Sequence, residues 1–350
     1  MDKIGIVLTS KTVVFKYIPK KILALLPQRW INWLIIRFKK ETYHEFDLVQ
    51  MGIGIKVAQM PIISEQLKST DERVLKHFLN AILNQFKQAG IKHVVLHKKM
   101  NDMSVVQDVV YTEQCFIKVC EDILLTALSI DIVKKICKAK GLDMNATCVG
   151  IVEKKLTKKS LFIIEQLSPH IRYITMVTDN AEEAQQQLDA IYEEMGLAVR
   201  VSNSANVSLK AADIIIVLDD MNAFLKNTQI NIEATLLNFS GKKNISAKST
   251  HIIINYVEIQ GNIALESNFT NWHDICKDTF IKNILMLKSN SSTYYHEKEI
   301  YQNMRILFYK MNLKIKDLIY YKKQSVKYVD EKEIIIDNRP LVVYNIKKLK

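Results

Sequence analysis

Between Asn145 and Asn238, short runs rich in β-branched residues alternate with helical stretches, and this alternation limits the fold more than any other feature of the chain. Cys148 to Val152, Ile174 to Val177, Ile214 to Leu218 and Thr235 to Leu237 each read as a short buried strand. Lys158 to Leu167 and Glu182 to Met195 carry apolar residues at helical spacing and separate the first three runs. Strands joined by helices run in one direction, so this region is predicted to be a parallel sheet covered by helices.

The N-terminal region also mixes the two element types. Ile4 to Thr9 is a short apolar run closed by polar residues, as a buried strand requires. Asp71 to Ala89 places Val74, Leu75, Phe78, Leu79, Ile82, Leu83 and Phe86 on one helical face, Gly90 supplies a C-terminal cap, and Ile91 to Leu96 reads as another strand. A long helix is predicted over Phe116 to Ala139, stopping at Lys140-Gly141. After Ser289 to Ser292, which reads as a linker, Glu297 to Tyr321 is expected as a basic, tyrosine-rich helix and Glu333 to Tyr344 as a hairpin. The resulting expectation is a two-domain α/β protein: an N-terminal α/β domain over 1-140, a Rossmann-like parallel sheet over 141-288 and a basic C-terminal appendage over 289-350.

The 48% hydrophobic and 25% charged residues are those of a folded globular chain, and nine glycines with five prolines leave little turn-forming material, so helices should be plentiful. Five cysteines (Cys115, Cys120, Cys137, Cys148 and Cys276) form no CxxC pair and point to a reducing cytoplasm. No apolar run approaches the roughly 20 residues needed to span a bilayer. The formal charge of +12 is uneven: Met1 to Lys40 holds nine Lys/Arg against Asp2 alone, Ser289 to Lys350 holds thirteen against seven acids, and the remainder is close to −2. The first of these ends carries a helix over Gln28 to Lys40, with Trp30 and Trp33 among Arg29, Arg37, Lys39 and Lys40. It reads either as an interfacial helix on an anionic membrane, held at the inner face, or as a helix packed on its domain. The tyrosines among lysines near the C-terminus fit a docked amphipathic helix better than a nucleic-acid surface.

Several stretches carry a family resemblance. Gly5 to Ser10, Met60-Pro61 before a helix, Gly90-Ile91, Lys140 to Asp143 and Asn145 to Thr147 fall in the order in which similar segments occur in the long-chain acyl-(acyl carrier protein) reductases. Relatives of that group include the shikimate/quinate dehydrogenases and glutamyl-tRNA reductases, and Ala211-Ala-Asp213 before Ile214 resembles the entry to the fourth strand of dinucleotide-binding domains. The resemblance implies a glycine-rich turn after the first Rossmann strand, where backbone N–H groups and a helix N-terminus approach a pyrophosphate. Here that stretch is Gly150 to Lys159, and Val152, Lys155 and Lys158 stand where the glycines should be. Valine resists the backbone angles of the first glycine, and a lysine at the second fills space that phosphates need.

Two other parts of the implied site differ. A Thr-Gly-Asn-type segment before the long helix falls at Cys120 to Ile123, and the glycines after the fourth strand survive only in Asn238 to Gly241. Asp179, after the second strand, is an acid that could serve an NAD ribose. Lys154, Lys155, Lys158 and Lys159 could hold an anionic group by charge, or could simply be a solvated helical turn.

The resemblance also implies a cysteine that accepts an acyl group, and Cys276 lies near that place with His273 three residues before it, close enough on a helix to lower the thiol pKa. A buried structural cysteine is the competing reading. The eight histidines are scattered and suggest no metal site, and His93 and His97 flank a predicted strand where their spacing does not converge. The expectation is a repurposed oxidoreductase homologue acting as a binding, scaffold or regulatory module that uses no cofactor. Its partner would be another protein or an anionic ligand, and it could form oligomers. A thioester enzyme using NAD(P) in an unusual mode is the alternative.

Overall fold

In the computed structural model the described residues are 2–10, 27, 29–30, 33, 36–37, 41–48, 52–64, 66–100, 103–112, 121–196, 199–241, 251–261, 275, 277–289 and 297–321. The protein is α/β, with two sheets among the described residues, and it divides into two compact units: unit 1 is Met1–Val119 with Asn262–Ser291, and unit 2 is Cys120–Gly261 with Ser292–Lys350. This division differs from the linear one expected, 1-140, 141-288 and 289-350, because the helix at Lys277–Ser289 packs on strands of unit 1 after the chain has built most of unit 2.

In unit 1 the strands β1 (Asp2–Ser10), β2 (Thr42–Leu48), β3 (Ile53–Ile63) and β4 (His93–Leu96) take the order β2-β3-β1-β4. β1 is parallel to both its neighbours, and β2 runs antiparallel along the outer side of β3. With a strand on either side, β1 buries Ile4, Ile6 and Val7 completely. The pairing of β1 with β3 is regular as far as Thr9–Met60 and then slips, so that Ser10 meets Ile63; the slip spans Pro61, which has no N–H to give the ladder.

Helix α1 (Glu72–Gln88) covers this sheet with the seven apolar residues that its spacing predicts, all buried. Asp71 caps it by accepting from the Arg73 backbone N–H at 2.8 Å, and Gly90 at φ +71° turns the chain out of it. Gly5 lets the sheet approach this helix, since a Cβ there would lie 2.5 Å from two ring carbons of Phe86. Helix α2 (Ser104–Thr112) joins the same core through Val105, Val106 and Val110.

Unit 2 opens with α3 (Glu121–Ala127) and α4 (Ser129–Lys140), two helices where one was expected. The break at Leu128 follows Thr126, whose hydroxyl donates to the Asp122 carbonyl at 2.6 Å, a back-bond that bends helices. Residues 113–120, the start of the predicted helix, lie outside the described residues. Gly141 at φ +69° ends α4 where Lys140-Gly141 was expected to stop it.

There follow β5 (Cys148–Val152), α5 (Lys158–Leu167), β6 (Tyr173–Val177), α6 (Ala181–Met195), β7 (Arg200–Ser202), α7 (Ala205–Ser208), β8 (Ile214–Val217), α8 (Met221–Asn227), β9 (Thr235–Asn238) and β10 (Ile252–Gln260). With β11 (Lys314–Tyr321) the sheet order is β11-β10-β9-β8-β5-β6-β7, parallel from β7 to β10. Numbered within the unit, the parallel part reads 3-2-1-4-5-6, the order of the Rossmann fold. The predicted strands and the helix Lys158–Leu167 are all present.

The C-terminal segment departs from expectation. Helix α10 (Glu297–Lys310) ends at a turn with Asn312 at φ 49°, and Lys314–Tyr321 forms β11, an antiparallel edge strand on β10. The basic helix predicted to reach Tyr321 therefore ends at Lys310, and its last eight residues are a strand that belongs to the sheet instead of being appended to it. Residues 290–296 and 322–350, with the expected linker and hairpin, lie outside the described residues.

Candidate functional site

At β5 the strand order of unit 2 reverses: the chain continues outward on one side through β6 and β7, and on the other through β8, β9 and β10. In open α/β sheets ligands bind outside the carboxyl ends of the strands at such a switch point. The residues there are the turn from Glu153 to Thr157, Thr178 and Asp179 after β6, and Asp219 after β8.

Gly150 is in the middle of β5, not in the turn. It is a packing glycine, because a Cβ at this position would collide with Leu209 Cδ2. Val152 is the last strand residue, Lys155 sits in the turn and Lys158 is the first residue of α5. Among the described residues only Asn312 combines a side chain with a positive φ, so this turn offers no left-handed residue of the kind a phosphate-cradling glycine supplies.

The turn is filled by its own carboxylates. Glu153 is 8% exposed, and both its carboxylate oxygens accept from the Thr157 hydroxyl at 3.0 Å. Thr157 is the N-cap of α5: its Oγ1 accepts from the Ser160 backbone N–H, and Ser160 Oγ accepts from the Thr157 N–H at 2.9 Å, a reciprocal capping box. Glu153 thus holds the mouth of α5, where the helix dipole and backbone donors would favour a phosphate. A second carboxylate, Asp219, accepts from the Lys154 backbone N–H, while the Lys154 carbonyl accepts from Thr178 Oγ1 at 2.9 Å and from the Asp179 N–H at 3.1 Å. Asp179 is therefore beside the turn, and its side chain is exposed.

The four lysines divide. Lys159 is committed inward, donating to the Phe239 carbonyl at 2.6 Å and pairing with Asp122 at 3.5 Å. Lys154, Lys155 and Lys158 are exposed, the arrangement of a solvated turn. Glu153, Thr157, Thr178 and Asp219 were not singled out from the sequence. The usable signal was position, since Glu153 and Asp219 each lie just beyond the end of a central strand, β5 or β8.

Burial pushes the Glu153 carboxyl above the usual glutamate range; the Ser160 and Thr157 hydrogen bonds oppose the shift, Asp219 adds to it and Lys159 reduces it. The folded state then holds this proton more tightly than the unfolded chain. The stability so gained is present below the unfolded pKa and is lost as pH rises through the folded one. Glu153→Gln should therefore have a higher Tm than wild type at pH 7, with the difference closing toward about pH 4. A lower Tm for the variant at pH 7 would mean that the ionised carboxylate stabilises the turn.

Unit 1 holds a second polar cluster. Helix α9 (Lys277–Ser289) is buried on nearly every side, and within it Asp278 and Lys282, with side chains 4% and 2% exposed, form an ion pair at 3.0 Å. Lys288, near its end, pairs with Asp2 at 2.9 Å. His93 opens β4 and is buried, which pushes its pKa down against the opposing influence of the Asn283 side chain. His97 lies beyond the end of β4, with its Nδ1 accepting from the Lys99 N–H at 3.2 Å, so the two histidines bracket the strand. Among the described residues no three His, Cys, Asp or Glu side chains are grouped to hold a metal ion.

Cys276 and His273 lie outside the described residues. Cys137 is buried as expected of a core residue, and burial pushes its thiol pKa up, away from reactivity. Of the residues proposed for a membrane surface, Arg29, Trp30, Trp33 and Arg37 are exposed, the two tryptophans by 53% and 54%; Lys39 and Lys40 lie outside the described residues. No helix among the described residues is long and apolar enough to cross a membrane.

No protein-family model matches the chain, and no curated protein matches it. Solved structures do. A shikimate dehydrogenase in complex with NADP+ is 10% identical over 89% of this chain and 96% of its own, with a TM-score of 0.33. The ligand-free 5-ketofructose reductase of a Gluconobacter strain is 8% identical over 88% and 99%, with a TM-score of 0.31. Shikimate dehydrogenase from Aquifex aeolicus is 8% identical over 87% and 97%, with a TM-score of 0.28. The Rossmann-like assignment rests on the strand order of unit 2 and not on these likenesses.

Proposed function

We propose that unit 2 is a Rossmann-like scaffold that has given up ordinary dinucleotide binding and serves as a binding or regulatory module. The observation that carries this reading is Glu153 at the mouth of α5, with Asp219 on the neighbouring backbone N–H. A pyrophosphate placed there would meet carboxylates instead of free donors. Like charges about 4 Å apart repel by roughly 4 kcal/mol at an effective dielectric near 20, which corresponds to about a thousandfold in affinity. Lys154, Lys155 and Lys158 are exposed, and their attraction is screened by water and salt. The turn also lacks the left-handed backbone that lets N–H groups converge on a phosphate. The residues present therefore do not fit NAD(P) in its usual seat.

Titration calorimetry with NADPH, NADH, NADP+ and NAD+ tests the reading. No saturable heat is expected at ligand concentrations up to about 1 mM, the level at which binding is worth only about 4 kcal/mol. Saturable binding tighter than that would overturn it. Such binding would favour the alternative that the acyl-(acyl carrier protein) reductase resemblance raises, a thioester enzyme with Cys276 as nucleophile and the nucleotide in an unusual mode.

A further inference from the structure

We propose that the segment bearing Arg29, Trp30, Trp33, Ile36 and Arg37 docks unit 1 on an anionic lipid surface, independently of any ligand in unit 2. These residues are helical, and positions three and four apart share a side, so the two tryptophans, the isoleucine and the two arginines recur along one face. Trp30 is 53% exposed, Trp33 54% and Ile36 37%, and both arginines are exposed.

Exposed apolar side chains met singly are ordinary. Val207 and Ile232 in unit 2 are of that kind. Three large ones within seven residues, two of them tryptophan, form a patch. Tryptophan combines a broad apolar ring with one N–H donor, which suits the depth of lipid headgroups.

Charge selects among the occupants of such a patch. Met1 to Lys40 carries nine Lys/Arg against one acid and Ser289 to Lys350 thirteen against seven, while Glu41 to Lys288 is close to −2, so the stretch that contains the patch holds the larger of the two positive ends. A second copy would bring the same positive field against itself, and an apolar protein groove would leave the arginines unanswered. An anionic headgroup layer answers both requirements: it accepts the rings and neutralises Arg29 and Arg37, which stand about 12 Å apart along a helix. The apolar run Trp30 to Ile36, broken by Asn32, falls far short of the roughly 20 residues a spanning helix needs. The segment would therefore lie on the membrane and not pass through it.

The test is sedimentation of the full chain with phosphatidylcholine vesicles and with vesicles that also contain phosphatidylserine. Binding is expected only to the latter, weakening with salt. Arg29→Gln with Arg37→Gln should weaken it about thirtyfold, and Trp30→Ser with Trp33→Ser should abolish it. The arginine variant alters exposed side chains and should keep the wild-type Tm. The proposal is overturned if anionic vesicles do not bind the protein, or if the tryptophan variant binds as wild type does. It is also overturned if that variant changes the oligomeric state, since the rings would then be covered by another copy.

Discussion

Replacing Asp278 with alanine is expected to destabilise unit 1 by about 3–5 kcal/mol, the range for breaking a buried ion pair from one side. Removing the carboxylate takes away the group 3.0 Å from the Lys282 ammonium, whose side chain is 2% exposed. Water cannot replace it at such a depth without opening the helix, and α9 is surrounded on nearly every side. For a unit of this size the loss corresponds to a fall in Tm of roughly 10 °C. The control is the double change Asp278→Leu with Lys282→Met. If the pair is there for stability alone, that double variant should match or exceed wild type, because well-packed apolar residues often replace a buried pair without loss. Thermal unfolding of the three proteins decides the matter: a single variant within about 1 kcal/mol of wild type would show that water or another group answers Lys282 once the carboxylate is gone.

That ion pair marks a limit of reading the chain by pattern. Lys277 to Ser289 mixes lysine, aspartate and asparagine with isoleucine, leucine and phenylalanine. Composition therefore gave no sign that α9 is buried all round, or that it returns to the strands of unit 1. Which sheet a helix joins is decided by tertiary packing, and the interleaved division of the chain was invisible for that reason. The strands β5, β6, β8 and β9 were legible because each is a compact, largely apolar run inside a parallel sheet, where both faces demand apolar residues. β7 was not: Arg200–Ser202 is three residues long, none of them fully buried. β11 was misread for a different reason, since Ile315, Leu318 and Ile319 stand at helical spacing and continue the pattern of the helix before them.

Part of the candidate turn is plain in the sequence: Val152, Lys155 and Lys158 stand where the resemblance puts glycines, and the turn has no left-handed residue. What fills the turn could not be read, because Glu153 owes its place to a capping geometry shared with Thr157 and Ser160 and to the proximity of Asp219. Each contact depends on where two strands end relative to one helix.

Gly150 tests how far glycine in this region still reflects nucleotide chemistry. Gly150→Val is expected to cost about 2–3 kcal/mol in stability, the usual consequence of overpacking a closed core. The added Cβ collides with Leu209, which is itself fully buried, and it would also come within 3.7 Å of Ile215 on the adjacent strand. Leu209→Ala alone should cost about 2–4 kcal/mol through the cavity it leaves. Combined, the two changes should be less harmful than their sum by about 1–2 kcal/mol, because the alanine makes room for the valine, a coupling that a double-mutant cycle in urea measures directly. Strict additivity would mean that the strand yields to the valine without using the space at Leu209, and the packing account of this glycine would then be wrong. A glycine retained for a phosphate behaves otherwise: its replacement leaves stability nearly intact and removes ligand affinity. The sign of the coupling therefore separates a glycine required by the contact between β5 and Leu209 from one left over from a nucleotide site.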